Sequence, residues 1–184
     1  MSGDTTSPVA NALEAQGFEM SPSAMTAQMG GEPTPPELDE KFKAVMAPLG
    51  AVLGLKRLGV AAMTVEPGKR AFPFHNHHAN DELFVILEGE GTYRFGDQEF
   101  PVKAGDLCGA PHGGPETAHQ LINTGAQTLR YLAISTMIDP EIAEYPDTGK
   151  FGALSIGEGR SFQNGRLLYI GRAENTLDYW DGEE

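Results

Sequence analysis

The stretch His75-Asn76-His77-His78-Ala79-Asn80-Asp81-Glu82 places three imidazoles and two carboxylates directly ahead of a strand-forming run, Leu83-Phe84-Val85-Ile86-Leu87. In an extended chain alternate side chains share a face, so His75 and His77 can present two imidazoles to one point while His78 turns away. Glu82 follows across a short loop. If its strand pairs beside the first, its carboxylate joins the same face, with Phe84 and Ile86 also turned inward. Two imidazoles and a carboxylate suit one first-row divalent ion such as Fe(II), Mn(II), Ni(II) or Zn(II). The competing reading is a polar loop that happens to be rich in histidine. Against it, all five histidines (75, 77, 78, 112 and 119) fall within 45 residues of a 184-residue chain. Buried imidazoles and a buried carboxylate would also each need another partner if no ion were there.

The elements that must position these groups read as β structure. From residue 51 to about 138, short apolar runs are broken by Gly and Pro at roughly ten-residue spacing, as in an all-β sandwich or small barrel. Arg94-Phe95-Gly96-Asp97-Gln98-Glu99-Phe100 reads as a hairpin with Gly96 and Asp97 in the turn. No long helical period interrupts the series, so parallel βαβ units are not expected. Residues 1–50 read as an N-terminal extension, partly disordered, with one helix over about 35–47. There Thr34 and Glu37 would form a capping box, Pro35 takes the first turn, and Leu38, Phe42 and Val45 share a face. Pro48 ends that helix. Residues 139–184 read as a C-terminal extension, loop-like through Ile138–Leu154, then a short apolar run and an acidic tail. Tyr179 and Trp180 in that tail offer contacts to the chain's own domain or to a partner subunit.

Charge narrows the partners. Thirteen basic residues against 26 acidic ones give a net charge of −13, which disfavours nucleic acid and anionic membrane surfaces. No apolar run approaches the roughly eighteen residues of a membrane span. The first residues lack the basic start and apolar run of a secretory leader, and Cys108 is the single cysteine; both point to the cytoplasm. Cys108 itself reads as a small buried hydrophobe rather than a nucleophile.

On these residues the chain resembles the cupin superfamily. Its first motif, Gly, His-x-His, Glu, Gly, is met by Gly68, His75, His77, Glu82 and Gly89, with one extra residue in the first gap. The second motif begins with Gly105, Pro111 and Gly113. Its His-x-x-x-Asn half stands at His119 and Asn123, three residues late, with Glu116 where the histidine is usual. The resemblance covers about Leu58 to Thr136. It implies an all-β double-stranded β-helix (jelly-roll-like) barrel with one divalent ion in its mouth, held by His75, His77, Glu82 and His119. His112 and Glu116 compete for the fourth place; His119 is favoured because it opens an apolar strand and shares a face with Leu121. Within the superfamily the chain is similar to a bacterial branch of single-domain cupins provisionally labelled sugar-phosphate isomerases. A homodimer paired through an outer sheet is also implied.

Three imidazoles and one carboxylate leave about two positions free on a six-coordinate ion, for water or a small-molecule substrate. The expected chemistry is isomerase or lyase work on a small polar metabolite, with a separate base drawn from Glu116, His112 or Tyr131. An Fe(II) dioxygenase and a non-catalytic small-molecule sensor are the alternatives. A phosphate group would need a cation, for which Arg94, Arg130, Lys56 and Arg57 are candidates. Each reads equally as a solvated strand edge.

Overall fold

The computed structural model describes residues 9–29, 34–157 and 165–183. Three short helices are α1 (Pro22–Met29), α2 (Pro36–Lys41) and α3 (Leu49–Val52). The strands are β1 (Phe18–Met20), β2 (Ala44–Ala47), β3 (Leu58–Val65), β4 (Asn76–His77), β5 (Glu82–Glu88), β6 (Glu90–Phe95), β7 (Gln98–Lys103), β8 (Leu107–Ala110), β9 (His119–Ile122), β10 (Leu129–Thr136), β11 (Glu141–Tyr145), β12 (Lys150–Ser155) and β13 (Leu167–Gly171).

Period-two burial decides how these strands pack. On β5, Phe84 and Ile86 are buried while Leu83 and Glu88 are exposed. Met63 and Val65 on β3, Tyr93 on β6, Leu121 on β9 and Tyr131 on β10 face the same core. One antiparallel sheet runs β1-β2-β3-β10-β5-β8, and the opposing one runs β7-β6-β9. Their inner faces close over one another as a jelly-roll-like sandwich, the side chains interdigitating as such faces must. A third sheet, β13-β12-β11-β4, continues from the second. The join is the segment Arg70–His77, bridged to β9 at Arg70↔Ile122 and His75↔His119, and to β11 through β4. Among the described residues, the three sheets are therefore not hydrogen-bonded round into a closed cylinder. The segment carrying the first two histidines is the seam between two of them.

Two glycines are required by backbone geometry. Gly96 takes φ +56° at the β6–β7 turn, where Asp97 does not go positive, so the expected hairpin forms with glycine first in its turn. Gly89 takes φ +80°, and a Cβ there would lie 2.5 Å from the Thr128 carbonyl oxygen. This glycine closes β5 just past a register shift, where Arg130 faces Glu88 and Tyr131 faces Ile86.

The helix expected over 35–47 is a correction. Only Pro36–Lys41 is helical; Phe42 is already extended, and Ala44–Ala47 form β2. Val45, Met46 and Ala47 pair with Thr64, Met63 and Ala62 of β3. Ala44 and Ala47 are buried there, so an existing sheet edge satisfies this backbone better than one further helical turn would. The capping box is absent too: no side chain caps α2, and the Thr34 hydroxyl sits 2.9 Å from that of Ser23. Pro48 ends a strand, not a helix. The loop-like reading of the segment after Ile138 is a second correction, since Glu141–Tyr145 and Lys150–Ser155 form an antiparallel hairpin. In the N-terminal extension, β1 and β2 join the main sheet, while residues 1–8 and 30–33 lie outside the described set.

Candidate metal centre

His75 and His77 come from the seam, Glu82 from the first residue of β5, and His119 from the first residue of β9. One potential ligand atom from each lies within 4.8 Å of those from the other three. The imidazole of His75 is 4.7 Å from that of His119 and 5.0 Å from that of His77, centroid to centroid. Glu82 Oε2 is 2.7 Å from His119 Nε2 and 3.6 Å from His77 Nε2. Behind the cluster stand the rings of Phe84 and Tyr93. The His119 side chain is 3% exposed, but those of His77 and Glu82 keep 19% and 17%. The cluster is thus dry at its base and open on one side.

Backbone carbonyls orient the rings. His75 Nδ1–H donates to Pro73 O at 2.8 Å, and His119 Nδ1–H to Thr117 O at 3.2 Å. Each leaves its Nε2 turned to the centre, the usual way a second partner fixes a ligating imidazole. Burial pushes the pKa of His75 down to about 4, with His119 nearby adding to it, so this ring is neutral at pH 7. Burial also pushes Glu82 upward. The hydrogen bond from His119 and the three imidazoles outweigh that and hold its carboxyl below the usual range. A neutral imidazole and an ionised carboxylate are the forms that ligate a cation.

The donor set fits a divalent ion. A carboxylate oxygen 2.7 Å from an imidazole Nε2 needs a proton between them, and a cation held by both would take that proton's place. His77 Nδ1 is buried and without a hydrogen-bond partner. Its ring lies between two carboxylates, with Glu82 on the Nε2 side and Glu141 Oε2 3.6 Å from Nδ1.

The other candidates lie elsewhere. His112 is exposed, its backbone N–H and Nδ1–H both donating to Asp81 Oδ1 at 2.8 Å. Glu116 is exposed on a short 3-10 turn and accepts from Gly114 N–H. Tyr131 is buried one layer deeper, against Phe84. Its pKa is raised by burial and then by Glu82, so it stays a protonated phenol. Asn123 is fully buried and structural, its amide donating to Val65 O and Gln127 O. Arg94 points away from the core. It makes two bonds to Asp147, at 2.7 and 2.9 Å, and lies 3.5 Å over the Phe74 ring. Arg130 pairs with Glu88 on the outer face, and Lys56 and Arg57 are exposed. Cys108 is buried, as expected.

Sequence reading missed the residues that hold the loop after His77. Glu141 Oε1 accepts the N–H groups of His78, Ala79 and Ile142, and Oε2 accepts from the Asn80 amide. Glu144 Oε2 accepts from Asn76 Nδ2 and lies 3.1 Å from His78 Nε2. The available signal was the alternation Glu141, Ala143, Tyr145. The flanking prolines at 140 and 146 concealed it, since proline is a turn signal.

Comparison with known proteins gives a consistent picture. Residues 61–135 match the family model described as Cupin domain. An oxalate-binding protein of Thermotoga maritima is 33% identical over 78 residues, covering 42% of this chain and 61% of that protein. The chain therefore spans about three fifths of that relative's length. A structure from Acidithiobacillus ferrooxidans, provisionally described as a sugar phosphate isomerase, is 26% identical, with a TM-score of 0.63 over 74% of this chain and 80% of that one. A Silicibacter pomeroyi structure, described as a sugar phosphate isomerase from a cupin superfamily, shares the fold. It is 23% identical, with a TM-score of 0.65 over 91% of this chain and 92% of its own.

Proposed function

The chain carries a cupin domain over residues 61–135, and from that premise we propose a divalent-metal-binding enzyme acting on a small, oxygen-rich metabolite by isomerisation or a lyase step. The observation that carries this reading is the convergence of His75, His77, Glu82 and His119 within 4.8 Å of one another, partly open at His77 and Glu82. When bound, the ion supplies a Lewis acid that polarises a carbonyl or hydroxyl oxygen.

The chain's own residues supply the rest. Carbonyl-anchored His75 and His119 give a rigid base to the site. Phe84 and Tyr93 exclude water from its floor and strengthen each charge interaction above it. Asp81, the residue before Glu82, fixes the exposed ring of His112 through Nδ1–H, which leaves Nε2 as its outward nitrogen. That makes His112 the best-supported general base of the three.

The names of two relatives point to oxalate and to sugar phosphates, and both compounds offer adjacent oxygens to one ion. Arg94 is committed to Asp147, and Arg130, Lys56 and Arg57 face outward. Loss of these phosphate anchors favours a small hydroxy-carbonyl or carboxylate substrate over a phosphorylated one.

The test starts with metal analysis of protein purified without added ions. Reconstituted protein is then given 2-hydroxy-aldehydes and 2-hydroxy-ketones in deuterated water. Deuterium incorporation next to the carbonyl without oxygen uptake supports the proposal. Oxygen uptake with iron indicates the dioxygenase, and saturable oxalate binding with no turnover of any compound indicates a sensor.

A further inference from the structure

We infer that Glu141, contributed by β11 outside the cupin domain, is a positioning residue that selects the tautomer of His77. The inference rests on the reading of the cluster as a metal site. His77 is the one histidine of the cluster whose Nδ1 meets no backbone carbonyl. That nitrogen is buried without a hydrogen-bond partner, and the carboxylate oxygen Glu141 Oε2 lies 3.6 Å from it. This is about half an ångström beyond a hydrogen bond, a gap that a small ring rotation closes.

Glu141 is built to receive it. It is 8% exposed, and every neighbour bonded to it donates: three backbone N–H groups on Oε1 and the Asn80 amide on Oε2. Asn80 cannot reverse its amide, because its Oδ1 already accepts from the Thr136 hydroxyl and Ile138 N–H. The carboxylate is thereby pinned with an acceptor facing His77. With Nδ1–H donating to Glu141, the lone pair of Nε2 faces the cluster. With the opposite tautomer, Nε2 carries the proton toward Glu82 and the buried Nδ1 lone pair has no donor.

The same strand holds the ligand segment by its backbone, through Ala143↔His77 and His78 N–H to Ile142 O. The C-terminal extension therefore completes the site twice over, by pairing with the ligand strand and by orienting one ligand.

The experiment reads tautomers by long-range nitrogen–proton NMR on the full chain, metal-free and zinc-loaded, together with zinc affinity by chelator competition. Wild type is expected to show His77 protonated on Nδ1 in both states. Glu141→Gln turns an amide donor toward Nδ1, so the proton should move to Nε2 and zinc affinity should fall about 10- to 100-fold. Asp139→Asn removes a charge from the same C-terminal extension, where the carboxylate accepts from the Ser155 hydroxyl and from Ile156 and Gly157 N–H, and should leave affinity near wild type. An Nε2–H tautomer in wild type, or equal losses in the two variants, would overturn the inference. Absence of zinc binding by wild type would instead refute the metal reading, while the metal-free tautomer still decides the role of Glu141.

Discussion

At the scale of single residues, burial sets the chemistry. His75 is held near pKa 4 by desolvation and by His119. Unfolding returns it to the ordinary value near 6.5, so as pH falls the unfolded chain takes up the proton first. Its contribution to stability is complete above about 6.5 and is lost on the way down to about 4. Denaturant midpoints measured in chelator should fall across that window, and His75→Gln should flatten the fall. Cys108 is governed likewise: burial, then Asp106, raises its thiol to about 11. Alkylation at pH 8 should be slow in the native protein and rapid in denaturant, since only the thiolate reacts. His77→Ala should sharply lower the metal content of purified protein. Unchanged content would remove His77 from the ligand set.

Secondary-structure elements bring remote residues together only where register holds. Glu82 sits opposite Ser135 on β10 and Ala110 on β8, so both neighbours of β5 fix the height at which its carboxylate enters the site. The far end of β5 depends on Gly89, whose positive φ and approach to Thr128 O leave no room for a side chain. Gly89→Ala should cost at least about 1–2 kcal/mol from the left-handed backbone alone, visible as a lower unfolding midpoint with an unchanged m-value. A stability unchanged within a few tenths of a kcal/mol would show that the turn relaxes.

For the whole molecule, the sandwich supplies the floor of the site and the third sheet supplies its outer brace. Among the described residues, no helix is long and apolar enough to cross a membrane. The edge strand β13 and the tail leave Leu167, Ile170, Leu177, Tyr179 and Trp180 exposed. We propose, following the family resemblance, that the chain forms a homodimer; exposed apolar surface on this scale is available for it. Sedimentation equilibrium should return twice the chain mass at micromolar concentration, and a single-chain mass would refute pairing.

The sequence by itself determined the residue types that cluster and most of the strands. Spacing of two on an extended segment puts His75 and His77 on one face, and period-two burial continues through Phe84 and Ile86, because both follow from local backbone geometry. It also made His119 the favoured partner over His112 and Glu116, and the structure brings His119, not those two, beside Glu82. Only the tertiary structure decided the rest. Ala44–Ala47 became strand because the edge of β3 was there to pair with. Tyr93 rather than Arg94 turned inward because β6 had to cover Phe84. Glu141 reached His77 because β11 folds back across 63 residues to pair with β4, so that Glu141 bonds His78. Such contacts depend on which strands meet, and strand pairing is a property of the assembled sheet rather than of any short stretch within it.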